Sequence, residues 1–166
     1  VPEAVVALER VVADRHLPPF DRVAMDGIAI CRHEFNNGRR SFEIQGIQKA
    51  GEARKTLNKV SACLEVMTGT PLPTNADTVI RYEDVELTGT VCTVASSVKN
   101  VAHQQNVHAC KSDCRKGDEV ISAGELLLSP NWAIAASVGR STIVTAEQPR
   151  IDIVSTGDEL VAIDST

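Results

Sequence analysis

Aromatic side chains are scarce: Trp 1, Tyr 1 and Phe 3 amount to 3% of 166 residues. A core organised by aromatic stacking is therefore excluded, and aliphatic side chains must fill it. Long apolar runs are absent, since no window approaches the ~20 uninterrupted apolar residues of a membrane-spanning helix. Dense positive charge is absent too. The longest concentrations are Arg39-Arg40 and Arg115-Lys116, and the net charge is −5 with a pI of 5.4, so a nucleic-acid surface is excluded. Cysteine is sparse and odd in number, at Cys31, Cys63, Cys92, Cys110 and Cys114. This is no disulfide scaffold and indicates reduced thiols in a cytoplasmic setting. There is no basic start with an apolar h-region and no lipidation motif, which leaves secretion unsupported. No fixed-period repeat or low-complexity tract is visible.

What is present is aliphatic and largely β-branched. At 43% hydrophobic the chain can bury a sizeable core, and a chain of this size hides roughly 70% of the surface it exposes when unfolded. Val 20 and Ile 11 outnumber Leu 10, which biases the chain toward strands. Val60, Ala62, Leu64 and Val66 alternate with Ser61, Cys63 and Glu65, the period of a half-buried strand. Val85–Leu87 and Val91–Val94 flank Thr88-Gly89-Thr90 and predict a hairpin, with Gly89 supplying the turn conformation. Further strands are predicted at Phe42–Ile47, Thr78–Tyr82, Ser141–Thr145 and Arg150–Ser155.

Helical signals are confined to the flanks. Val5, Leu8 and Val12 recur at helical spacing within Glu3–Val12, behind Pro2 and ahead of Pro18-Pro19, and predict a first helix. Ser129 as cap, Pro130 in the first turn, the apolar run Asn131–Val138 and Gly139 at the left-handed C′ position predict a second. The fold class expected is mainly β, or α+β, with a β-rich, barrel-like domain inserted into a small mixed linking domain. At the C-terminus, Arg150–Ser155 followed by Thr156-Gly157-Asp158-Glu159 reads as the first strand of an α/β domain running into a helix cap. With no initiator Met at the start, the chain is expected to be a fragment. The domain bounds expected are 1–20 with 114–148 for the linking domain, 21–113 for the inserted domain, and 149–166 for the start of the α/β domain.

Three stretches are chemically dense. Leu17-Pro-Pro-Phe-Asp-Arg-Val-Ala-Met-Asp-Gly27 projects Asp21 and Asp26 from a stiffened loop that Gly27 lets turn. Met67-Thr-Gly-Thr-Pro-Leu-Pro73 exposes amides with the Thr68 and Thr70 hydroxyls, which suit an oxyanion, although turn chemistry accounts for it equally well. Ser155-Thr-Gly-Asp-Glu-Leu160 places Asp158 and Glu159 at a strand's carboxyl end, where α/β domains bind ligands, or serves as a helix cap. Ala50-Gly51-Glu52 reads as a turn, Glu83-Asp84 as a solvated strand end, Gly38-Arg39-Arg40 as a surface loop rather than a phosphate contact, and Tyr82 and Trp132 as packing residues.

Together the Pro-Pro-Phe-Asp, Ala-Met-Asp-Gly, Met-Thr-Gly and Ser-Thr-Gly-Asp-Glu-Leu motifs resemble the molybdopterin molybdenumtransferase family, the MoeA-type proteins that include the gephyrin E domain. The resemblance extends from Ala13 to Leu160, in the family's order. It implies a cytoplasmic enzyme of molybdenum-cofactor biosynthesis that inserts molybdate into adenylylated molybdopterin with release of AMP. A divalent cation, expected to be Mg²⁺, assists, and the protein acts as a homodimer on a small pterin substrate. The resemblance places Asp26, Glu159 and Asp113 among the catalytic residues, Thr68, Gly27 and Asp158 at the substrate, and Asp26 and Glu159 on the metal. Asp113 matches less closely, because His108 replaces an Arg and Cys110-Lys-Ser replaces a Gly-containing turn; Ile28 stands where many members have Tyr. Carboxylates beside anionic substrates repel them unless a hard cation intervenes, which is the reason for expecting Mg²⁺. The fragment alone is expected to be inactive. Two further readings compete: a zinc-binding module on His103, His108, Cys110 and Cys114, and a non-catalytic dimerisation or scaffold domain with an apolar patch among Val1–Val12 and Trp132–Val138. A redox pair at Cys110 and Cys114 lacks the Cys-x-x-Cys spacing.

Overall fold

The computed structural model describes residues 4–164. Twelve strands and two helices are formed: β1 (Val5–Val6), β2 (Val11–Val12), β3 (Arg22–Val23), β4 (Gly27–Ile30), α1 (Arg32–Asn36), β5 (Ser41–Gln48), β6 (Ala62–Val66), β7 (Thr78–Arg81), β8 (Val85–Thr88), β9 (Val91–Val94), β10 (Val107–His108), β11 (Glu119–Ile121), β12 (Leu126–Leu127) and α2 (Ser129–Ser137), with one 3₁₀ turn at Tyr82–Asp84. Packing divides the chain into two units. One spans Val12–Asp118; the other combines the residues up to Val11 with those from Glu119 onward. These limits differ from the 20/21 and 113/114 positions read from the sequence. Backbone bonds from Ala13 N–H to Asp118 O, Gly117 N–H to Ala13 O and Leu17 N–H to Cys114 O, each 2.8–2.9 Å, join the two arms to each other within the Val12–Asp118 unit.

The inserted unit is organised by a curled six-stranded sheet of order β7-β4-β6-β5-β9-β8. Only β5 and β6 run parallel, and their register shifts between Ile44 and Ile47. Because side chains alternate across a strand, both faces are covered by different aliphatic sets. Ala29, Ala62, Leu64, Val66 and Val79 pack with Val23, Leu57 and Leu72 on one side. Ile28, Ile30, Cys63, Ile80 and Cys92 pack with Phe35, Phe42 and Val101 on the other. The β8–β9 hairpin forms as expected, with Thr88 opposite Val91 and Gly89 at φ 59°.

In the flanking unit α2 also forms where expected. Leu128 occupies the N-cap rather than Ser129, and the Asn131 Oδ1 atom accepts its N–H at 2.9 Å. Gly139, at φ 81°, closes the helix: Gly139 N–H reaches Ala136 O and Arg140 N–H reaches Ala135 O, the paired bonds of a Schellman ending. The first helix does not form. Val5 and Val6 pair with Leu127 and Leu126 instead, and the side chains buried are Ala7 and Val11, while Leu8 is 59% and Val12 40% exposed. Long-range pairing of β-branched residues outweighs a weak helical period; residues 1–3 of that segment lie outside the described residues. Ser141–Thr145 contributes one bridge, Ala7 to Thr145, rather than a strand. Arg150–Ser155 forms no strand, because no described strand lies beside it to complete its backbone bonds, and Ile151, Ile153 and Val154 are exposed.

Candidate functional site

The sheet register builds the centre of the site. Gly27 of β4 stands opposite Val66 of β6 on one side and Arg81 of β7 on the other. The residue before Gly27 is therefore delivered between the loop that leaves β6 and the turn that leaves β7. That residue is Asp26. Its carboxylate oxygen Oδ1 accepts two bonds from Thr68, one from the backbone N–H at 2.6 Å and one from the hydroxyl at 2.7 Å. Its backbone oxygen accepts the Tyr82 N–H at 3.2 Å. The amide and then the hydroxyl of Thr68 hold the Asp26 carboxyl below its usual range, against a smaller opposing effect of burial. No partner for Oδ2 is found among the described residues, and the side chain is exposed.

Gly27 serves here through its missing side chain rather than through a turn. It is the first residue of β4, and a Cβ there would sit 1.9 Å from the carbonyl oxygen of Ile80, with Ile80 C and Arg81 Cα within 3 Å. The loop after β6 is rigid for its own reasons. Thr70 is buried, its hydroxyl donates to Met67 O at 2.7 Å, and its carbonyl accepts Val23 N–H. Thr70 is thus removed as an oxyanion contact. Thr68 changes role as well, because its hydroxyl proton and its amide are both spent on Asp26. Toward a ligand the pair presents lone pairs, which suit a cation and not an oxyanion.

A second group lies on the strap formed by β10 and the segment after it. Arg22 Nη2 donates to His108 Nδ1 at 3.0 Å, and His108 Nε2 meets Asp113 Oδ1 at 2.8 Å. An arginine can only donate, so Nδ1 accepts and the ring proton sits on Nε2, facing Asp113. Ser112 Oγ donates to the same carboxylate oxygen at 3.2 Å, and Asp21 Oδ1 accepts Cys110 N–H at 2.8 Å. Asp113 is thereby tied, through His108, to a residue four positions before Asp26, and is not bonded to Asp26 itself.

Tyr82, which bonds Asp26 through its backbone, and its own partner Glu65 carry no motif in the sequence. The Tyr82 hydroxyl donates to Glu65 Oε2 at 2.7 Å, and burial, that carboxylate and the Asp26 charge together push the phenol up. Their sequence signals are weak, since Glu65 reads only as the outward residue of an alternating strand. Asp84 is taken by Arg81 at 2.8 Å, and Glu52 by Lys55 at 3.0 Å within the expected turn. Asp158 and Glu159 belong to the flanking unit, exposed on a turn closed by Leu160 N–H to Gly157 O, and the expected helix cap does not form there.

The zinc tetrad is not assembled. His103 faces Asp77 at 3.7 Å, both ring nitrogens of His108 are engaged, and Cys110 and Cys114 are free thiols. Among the described residues no group of three or more His, Cys, Asp or Glu side chains is arranged to hold a metal ion. No described helix is long and apolar enough to cross a membrane.

The geometry of this unit is shared with known proteins. A molybdopterin molybdenumtransferase of Synechocystis is 41% identical over 163 residues, covering 95% of this chain and 40% of the relative. One from Staphylococcus epidermidis is 30% identical over 165 residues, covering 96% and 38%. The crystal structure of a molybdopterin biosynthesis MoeA protein from Pyrococcus horikoshii superposes with a TM-score of 0.72 at 28% identity, over 82% of this chain and 35% of that one. The chain therefore spans about two fifths of the length of the curated relatives it matches. Residues 3–139 match the family described as the MoeA N-terminal region, domains I and II, and the chain belongs to that family.

Proposed function

We propose that the protein carrying this chain is a cytoplasmic molybdopterin molybdenumtransferase that inserts molybdate into adenylylated molybdopterin and releases AMP. Family membership and the names of the relatives support the reaction class. The observation that carries the local chemistry is the Asp26–Thr68 clamp, in which both donors of Thr68 are spent on one carboxylate oxygen. The group left facing solvent is an ionised carboxylate with a hydroxyl lone pair beside it. Such hard oxygen donors fit Mg²⁺, which takes one or two carboxylates and keeps several waters. Asp26, with Glu159, would hold that ion, and its charge would offset the repulsion between carboxylates and anionic substrates.

In this reading Thr68 is a positioning residue that fixes Asp26 as a carboxylate. Gly27 keeps β4 close against β7, so that Asp26 stays at the start of β4, between the segments that leave β6 and β7. Asp158 contacts substrate. Asp113 takes part through the strap that His108 anchors to Arg22. Residues 149–166 begin the α/β domain that supplies the rest of the site, and the protein acts as a homodimer. Exposed Leu8, Leu126, Leu128, Ile134 and Val144 in the flanking unit support an association surface.

The test is molybdate-dependent release of AMP from adenylylated molybdopterin by the full-length protein, with Asp26→Asn and Glu159→Gln compared after their folding is verified. Loss of release in either folded variant supports the assignment of that carboxylate. A folded parent that releases no AMP with any divalent cation overturns the enzyme reading.

A further inference from the structure

At the far end of β4 from Asp26, the chain builds a cleft of a different kind. Its volume is about 480 Å³, and it is lined by Arg32, Arg40 and Lys99 with Asn36, Asn100 and the Phe35 ring. No carboxylate lines it. The neighbouring cation Arg39 has an acidic partner, Glu34, at 2.9 Å. Among the described residues, no carboxylate lies within ion-pair distance of Arg32, Arg40 or Lys99. The adjoining cleft, which Arg40 and Lys99 also line, contains Glu86, whereas no carboxylate lines this one.

The arrangement is held in place. The Arg40 guanidinium lies 3.8 Å from the centroid of the buried Phe35 ring, and its Nη1 donates to Phe35 O at 3.4 Å. Arg40 O accepts Val94 N–H at 2.7 Å, which fixes this segment to β9. Arg32 N–H donates to Asp77 Oδ1 at 2.7 Å, which spends that oxygen on the backbone. Three like charges lining one cleft, with no carboxylate among its lining residues, repel one another. A multiply charged oxyanion relieves that repulsion, and guanidinium groups bind phosphate through paired, charge-assisted bonds.

We infer that this cleft is a binding site for a small phosphorylated anion, either an inorganic polyphosphate or a phosphate monoester. The volume suits a small-molecule ligand. The site is independent of the Asp26 reading, because it shares no residue with it. Within the Gly38-Arg39-Arg40 loop, Arg39 is occupied by Glu34, while Arg40 lines the cleft.

Titration calorimetry of the full chain at low ionic strength, with pyrophosphate and with phenyl phosphate as probes, tests the site. Saturable one-site binding is expected for at least one probe. The tighter probe identifies the source, inorganic if pyrophosphate and organic if phenyl phosphate. Arg32→Gln and Lys99→Gln are each expected to weaken it about tenfold, while Arg39→Gln leaves it unchanged. Circular dichroism verifies the fold of each variant, and Arg40 is left intact because its packing on Phe35 is structural. Absence of saturable binding by both probes overturns the inference. So does equal weakening by Arg39→Gln and Lys99→Gln, which would report general surface charge.

Discussion

Gly27→Ala isolates the close approach on which the site rests. The Cβ it introduces falls 1.9 Å from Ile80 O, about 1.5 Å short of ordinary contact, and each of the three nearest atoms is backbone. No side-chain rotation relieves such a contact, so β4 must move away from β7. The bonds at risk are those of the Gly27–Arg81 and Ile28–Ile80 pairs. Overpacking costs about 1–3 kcal/mol and each ladder bond lost about 1 kcal/mol, so a loss of about 2–4 kcal/mol is expected. For a unit of this size that corresponds to a fall in Tm of roughly 10 °C or more. Gly89→Ala is the control, since nothing lies within 4 Å of its Cβ position and only the left-handed backbone at φ 59° is strained; about 1 kcal/mol is expected there. The lone Trp132 sits in the other unit and does not report on this sheet. Urea unfolding by far-UV dichroism, with amide exchange of β4 and β7, gives the readout. A Gly27→Ala protein within 0.5 kcal/mol of its parent, on the order of a surface substitution, with β4 protection retained, would refute the reasoning.

Other expectations follow from the same geometry. The Asp26 carboxyl should titrate below 3.8 when followed by carbon NMR, and Thr68→Val should raise that midpoint only part of the way, because the Thr68 amide is the larger cause. The sign is that of a depressed acid: the stabilisation is complete above the unfolded value and is lost as pH falls through the lowered folded one, and a midpoint insensitive to Thr68→Val would contradict the clamp. Thiol labelling of the native protein should modify Cys31, Cys110 and Cys114 before Cys63 and Cys92, which are buried. Hydrogen bonding with Cys92 and burial push the Cys63 thiol up, so early labelling of Cys63 would contradict the packing. The neutral His108 ring should show the Nε2–H tautomer by nitrogen NMR, and Arg22→Met should return it toward a mixture of both forms.

How much was legible follows from the range over which each interaction acts. The hairpin at Gly89 and the helix ending at Gly139 rest on contacts within a few residues, so turn and cap chemistry in the sequence was enough to place them. Asp26 and Thr68 were visible as motif residues for the same reason. Their meeting was not, because they lie 42 positions apart and come together only through the pairing of β4 with β6. That pairing turned Thr68 from an oxyanion donor into the holder of a carboxylate, and it turned Gly27 from a turn residue into a strand residue with no room for a side chain. The predicted first helix became two short strands because the partner of Val5 is Leu127, far along the chain. The one-turn α1 is too short to show a period, and with it went the stacking of Arg40 on Phe35 and the cleft beside it. Sequence by itself determined the β-rich class, the aliphatic core and the residues able to do chemistry, because composition, local propensity and motif do not depend on distant partners. Tertiary structure decided which of those residues face one another, because a donor's partner, a cation's counter-charge and the space beside a Cα are all set by strands that register from opposite ends of the chain.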